Sequence, residues 1–130
     1  LLEHNISSYL DAFKVRGISM LMAGVYNSGI LATGVSDISQ AHYNYERPSQ
    51  STIEKVARIE VICKRFDVSL PALALQFAEA HPATTMLVVG AESRDQLAKT
   101  LAWHSESIPP ELWQTLRDEG IIAPDVPIPL

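Results

Sequence analysis

The chain has 130 residues, of which 47% are hydrophobic and 19% charged, ordinary proportions for a folded domain with a sizeable core. Ten basic against fifteen acidic residues leave a net charge of -5, which argues against a nucleic-acid partner, and no apolar run approaches the ~20 residues needed to span a bilayer. The single cysteine, Cys63, excludes an internal disulfide and sets the expectation of a reducing, cytoplasmic setting.

Leu1-Leu2-Glu3-His4 carries neither a methionine nor a signal-peptide pattern and reads as the end of a strand or the loop after it, so something is expected to precede residue 1. Residues 6–16 are predicted as an amphipathic helix. Ile6, Tyr9, Leu10 and Phe13 form its apolar stripe, Asn5 is its N-cap, and Gly17 sits where a helix end favours positive φ. Residues 18–23 follow as a near-continuous apolar strand, the pattern of a parallel sheet covered on both faces. Residues 24–31 are rich in turn formers, and the polar stretch 32–48, with Tyr43, Asn44 and Tyr45, is predicted as a long loop.

A long helix is predicted over 52–66, with Ser51 and Glu54 as a capping box and Val56, Ile59, Cys63 and Phe66 on its buried side. A second covers 71–80, with Ser69 near its start and Pro82 beyond its end. Residues 85–89 form the next apolar strand. Gly90 to Ser93 leaves it and enters a helix over 94–103, where Ser93 and Gln96 repeat the capping-box spacing. Pro109 and Pro110 open a last helix that stops at Gly120, and the proline-rich tail 121–130 is expected to be extended.

Alternating apolar strands and amphipathic helices imply right-handed β/α units around a parallel sheet. Two strands alone leave both edges of such a sheet unpaired, so the sequence demands more strands than it contains.

In a β/α barrel, function collects in the loops at the C-terminal ends of strands. Two are available here, 24–30 and 90–96. The first offers backbone amides at Gly24 and Gly29, with Asn27 and Ser28 as polar groups; the second leads into a helix N-terminus. Converging amides and a helix dipole both favour phosphate. Equally, Gly24, Gly29 and Gly90 serve as simple tight-turn residues, and neither the Rossmann nor the P-loop glycine pattern is present.

Other side chains have simpler readings. His4, His42, His81 and His104 lack metal-ligand spacing, so no metal site is expected. Cys63 reads as a buried thiol, and Trp103 and Trp113 as packing residues. Tyr43 and Tyr45 are candidates to stack on a sugar or an adenine ring, or else to pin the loop down.

The string Ala23-Gly24-Val25-Tyr26-Asn27-Ser28-Gly29-Ile30-Leu31-Ala32-Thr33-Gly34 resembles the seventh-strand segment of aldo-keto reductases. It is closest to the branch holding D-threo-aldose 1-dehydrogenase and pyridoxal 4-dehydrogenase. Leu87-Val88-Val89-Gly90-Ala91-Glu92-Ser93 through Leu97 is similar to that family's eighth-strand segment, and residues 110–122 resemble the branch's closing helix.

The resemblance implies the C-terminal half of a (β/α)8 TIM barrel, with the last two to three strands and their helices in residues 1–130 and the N-terminal half absent. It further implies an NAD(P)-dependent oxidoreductase acting by hydride transfer on an aldose or a related aldehyde or alcohol. Gly24, Val25, Tyr26 and Ser28 would line the pyrophosphate and nicotinamide side, and Gly90, Ala91, Glu92, Ser93, Gln96 and Thr100 the adenosine end. Glu92 and the absence of cations at Gly90 and Gln96 lean the cofactor toward NAD, with NADP still possible.

Thr100 stands where the family usually has an asparagine, and Ala23 where an aromatic often stacks on nicotinamide. The family's catalytic Asp-Tyr-Lys-His set lies in the other half of the barrel, so no catalytic residue is expected in this chain and it should not turn over alone. The expected partners are the N-terminal half of the same barrel and a small sugar or aldehyde. Two alternatives stay open: a non-catalytic half-barrel interaction module, and a cofactor-sensing relative of the family's channel subunits.

Overall fold

The computed structural model of the chain describes residues 1–4, 7–36 and 42–129. In chain order it comprises α1 (Ser7–Val15), β1 (Met20–Ala23), α2 (Ile30–Thr33), α3 (Gln50–Arg65), α4 (Leu70–Glu79), β2 (Thr84–Val88), α5 (Arg94–His104) and α6 (Pro110–Asp118). The proposed N-cap Asn5 and the stripe residue Ile6 lie outside the described residues.

β1 and β2 pair in parallel, with Leu21 opposite Met86, Met22 opposite Leu87 and Ala23 opposite Val88, after a register shift between Met20 and Leu21. A parallel pair needs a crossover, and here α2, α3 and α4 supply it. Side chains alternate across a sheet, so Met22 and Leu87 share one face and Leu21, Met86 and Val88 the other. The first face is half-buried and α4 packs against β2. The second is bare: Leu21 is 60% exposed, Met86 58% and Val88 49%. In this chain the expectation of a sheet covered on both faces is met on one face. The helices present cover one face, and nothing among the described residues covers the other.

The core sits instead in the helical layer. Val56, Ile59 and Ile62 of α3, Leu73 of α4, and Leu112, Trp113 and Leu116 of α6 pack with Ile30 and Leu31, nearly all free of solvent. Spacings of three and four along α3 and α6 gather these side chains into stripes. Phe66, expected on the buried side of α3, is only partly buried, and Ile62 takes a place in the core that the sequence analysis did not give it.

Two further expectations change. α3 begins at Gln50 because Ser49, extended at φ -65°, accepts the Thr52 amide at 3.2 Å. Ser51 is already helical, and Glu54 takes a hydrogen bond from the Gln50 side chain at 2.9 Å instead of closing a capping box. The stretch 32–48 is not all loop either. α2 ends inside it, and Tyr43 and Glu46 form an antiparallel bridge joined by N–H···O bonds of 3.0 and 3.1 Å.

Candidate functional site

Parallel pairing with Ala23 opposite Val88 sends both strands out at the same end of the sheet, side by side. The two glycine-bearing segments, 24–30 and 90–96, are thus neighbours on one rim, as the cradle predicted from the sequence requires.

The first exit is two tight turns in succession. The Asn27 amide donates to the Gly24 carbonyl at 2.8 Å and the Gly29 amide to the Tyr26 carbonyl at 3.0 Å. Four of its residues, Gly24, Asn27, Ser28 and Gly29, have positive φ, at 68°, 47°, 59° and 105°. The conformation is disfavoured for Asn27 and Ser28 and persists because the fold over-determines it. Downstream, Ile30 and Leu31 of α2 are wholly buried and anchor the turns. Upstream, Val25 is buried while Gly24 is exposed at the rim, with open space where a side chain would stand.

The second exit is closed by helix capping. The Gln96 amide donates to Ser93 Oγ at 3.2 Å, and the Glu92 amide donates to Gln96 Oε1 at 2.7 Å. The predicted reciprocal capping is present, except that the Gln96 side chain takes the amide of Glu92 rather than that of Ser93. A ligand that needed the Glu92 amide would have to displace Gln96. Gly90, Ala91, Glu92, Ser93 and Gln96 are all exposed. Arg94, exposed in the first turn of α5, adds a cation two residues after Glu92 that the charge argument from the sequence did not weigh.

Tyr26 joins the first exit to α5. Its ring meets Trp103 of α5 edge-on at 6.3 Å between centroids. The hydroxyl is buried beside Thr100 and reaches no hydrogen bond of standard geometry; burial raises its pKa, and the Thr100 hydroxyl partly offsets that. Tyr26 and Thr100, assigned from the sequence to opposite ends of a cofactor, thus meet each other directly.

A cleft of about 260 Å³ opens behind the first exit. Gly24, Val25, Asn27, His4, Phe77 and His81 are among its walls. None of residues 90–100 lines it, so it belongs to the first exit alone and is not the space between the two. His81 is nearly solvent-free. Its Nδ1 accepts the Ala83 amide at 3.1 Å, which leaves the proton on Nε2, facing Asp11 Oδ1 at 3.3 Å. Both ring nitrogens are therefore occupied, and the Nε2 contact holds the segment after α4 to α1. His4 is shifted toward the neutral form by burial first, then by Lys55.

The hairpin at residues 43–46 is tied back to this rim. Tyr43 packs against the core and its hydroxyl donates to the Glu3 carboxylate. Burial, then that carboxylate, pushes the Tyr43 pKa up to about 12. The Tyr45 amide donates to Ser28 Oγ at 3.1 Å, tying the hairpin to the first exit. Of the two loop tyrosines, Tyr43 is engaged in packing and Tyr45 is not. No group of three or more His, Cys, Asp or Glu side chains arranged to hold a metal occurs among the described residues.

A dinucleotide fits this rim in three respects: the exits are adjacent, Gly24 and Gly90 leave room for a close approach to the backbone, and Ser28 and Ser93 flank them with hydroxyls. Comparison with known proteins identifies the family. The sequence profile of the aldo/keto reductase family matches residues 2–119. The chain is 35% identical over 115 residues to a pyridoxal 4-dehydrogenase of Microbacterium luteolum, covering 88% of this chain and 33% of that protein. It is 30% identical over 113 residues to a D-threo-aldose 1-dehydrogenase of a Pseudomonas species, covering 87% of this chain and 34% of that protein. The chain spans about a third of the length of the curated relatives it matches. On the match of nearly its whole length, the chain belongs to the aldo/keto reductase family.

Proposed function

We propose that residues 1–130 are the cofactor-holding C-terminal part of a (β/α)8 barrel dehydrogenase. The substrate would be a small aldose or a related aldehyde or alcohol such as pyridoxal, and the site of action a reducing compartment such as the cytoplasm. The observation that carries this reading is the adjacency of the two strand exits at one end of the sheet. A bound nicotinamide dinucleotide would supply the hydride acceptor. The chain's own residues would hold it: Gly24, Val25, Tyr26 and Ser28 at the first exit, and Gly90, Ala91, Glu92, Ser93, Gln96 and Thr100 at the second. Glu92 disfavours the additional phosphate of NADP, and Arg94 two residues on partly offsets that, so NAD is the proposed cofactor.

The acid–base groups for proton transfer would come from the remainder of the barrel, packed on the bare sheet face. Purified alone, the 130-residue chain is expected to show no NAD-dependent oxidation of an aldose or pyridoxal. Supplied with the rest of its barrel, it is expected to do so, with NADH bound more tightly than NADPH. Turnover by the isolated chain would refute the division of labour, and failure of the complete barrel to bind NADH would refute the reading as a whole.

The bare face formed by Leu21, Met86 and Val88 also suits a second reading, a non-catalytic half barrel that docks another protein there. A 130-residue chain that binds a partner on that face but neither NADH nor NADPH would favour it.

A further inference from the structure

Neither packing nor backbone preference explains Tyr45. It is the second central residue of the two-residue turn between Tyr43 and Glu46, with φ 50° at Asn44 and 65° at Tyr45. Turns with positive φ at both central positions take glycine second, because a Cβ is disfavoured in the left-handed region. Burial does not offset the strain, since Tyr45 is 91% exposed. The turn is nonetheless held firmly. Tyr43 anchors one side through the core and Glu3, and the Tyr45 amide is fixed on Ser28 Oγ at 3.1 Å. An aromatic ring held in a strained, anchored turn beside a strand exit, and covered by nothing among the described residues, points to a surface that receives a ring from outside this chain.

The anchor also says where. Ser28 belongs to the first strand exit, so the hairpin tip is tied to that exit. Because Ser28 Oγ accepts the Tyr45 amide, its own proton is left to donate to a ligand oxygen. We infer that the Tyr45 ring stacks on a ring of the ligand carried at the first exit, either the nicotinamide ring or the ring of the substrate that reacts with it, and not on adenine. This rests on the oxidoreductase reading above.

The test uses the full-length protein and four measurements on wild type, Tyr45→Phe, Tyr45→Ala and Tyr45→Gly. These are Kd for NADH, Kd for ADP-ribose (which lacks the nicotinamide ring), Kd for pyridoxal or a D-threo-aldose at saturating NADH, and Tm. Tyr45→Phe is expected to bind like wild type. Tyr45→Ala and Tyr45→Gly are expected to bind roughly two- to tenfold more weakly, the range for one aromatic stack. Tyr45→Gly, which fits the turn, is expected to keep or raise Tm, so a loss of binding there is not a loss of folding.

Weaker NADH with unchanged ADP-ribose identifies the nicotinamide ring, and weaker aldose or pyridoxal alone identifies the substrate ring. Equal weakening of NADH and ADP-ribose, or no change in any Kd, overturns the stacking while leaving the cofactor site standing. A wild-type protein that binds neither NADH nor ADP-ribose overturns the oxidoreductase reading and the stacking with it.

Discussion

Gly34 shows how a single backbone position ties α2 to α3. It follows α2 at φ 74° and ψ -161°, a region open essentially to glycine, and a Cβ there would run into the Glu60 carboxylate. That carboxylate accepts the Val35 amide at 3.3 Å, so it cannot move aside without breaking a bond between the elements. Gly34→Ala is expected to destabilise the fold by about 2–4 kcal/mol, backbone strain and collision together, measured by denaturant unfolding. Cys63 makes a different residue-scale prediction. Burial, then Glu60 and Glu106, push its thiol from 9.0 up to about 12. The folded state therefore keeps the proton after the unfolded chain has lost it. The stabilisation is fully present below pH 9 and is lost as pH rises through about 12. Stability of Cys63→Ala should fall less steeply than wild type across that window, and at pH 8 a thiol reagent should label Cys63 only as fast as the chain opens.

Elements in this chain are held at their ends by side chains far away in sequence, and this is where sequence reading ran out. The Ser69 side chain makes no capping bond at the start of α4; Glu106, beyond α5, instead accepts the Ser69 amide at 2.6 Å and its hydroxyl at 2.5 Å. An anion at a helix N-terminus satisfies exposed amides and the dipole together. Glu106→Gln should cost about 1–2 kcal/mol in thermal unfolding, with α4 amides losing protection first. No spacing rule links residues 37 apart, so the clasp was invisible in the sequence. α2 was missed for a related reason: its four residues are held by the burial of Ile30 and Leu31, not by caps or length. The hairpin at Tyr43–Glu46 lacked the glycine that signals such turns. What was legible were the long apolar stripes of α3 and α6 and the strand exits, since an apolar run that stops at a glycine needs only local sequence to be read. The adjacency of those exits was an expectation from alternation, and the parallel register gives it a geometry.

At the scale of the molecule, the buried and bare surfaces divide the chain. The α3–α6 side holds the core, whereas Leu21, Met86 and Val88 on the sheet and Leu97 and Leu101 on α5 stand in solvent. Exposed apolar side chains of this kind favour association. The isolated chain should bind a hydrophobic dye and self-associate at micromolar concentrations. Replacing Leu21 and Met86 by lysine should reduce that association and, in the complete barrel, abolish folding, because the same side chains would then be buried as charges. A sedimentation series on both forms reads the two effects. The crossover between β1 and β2 has a kinetic consequence as well. Sixty residues separate Ala23 from Thr84, so the pair cannot zip up locally and must wait for the intervening helices to collapse into place. The strands are thus expected to be the last secondary structure to become protected from deuterium exchange during refolding, and the first to be released when the chain is warmed. A pocket framed by their ends would come into being only at the final stage of assembly, so a partly folded chain would have no grip on its ligand.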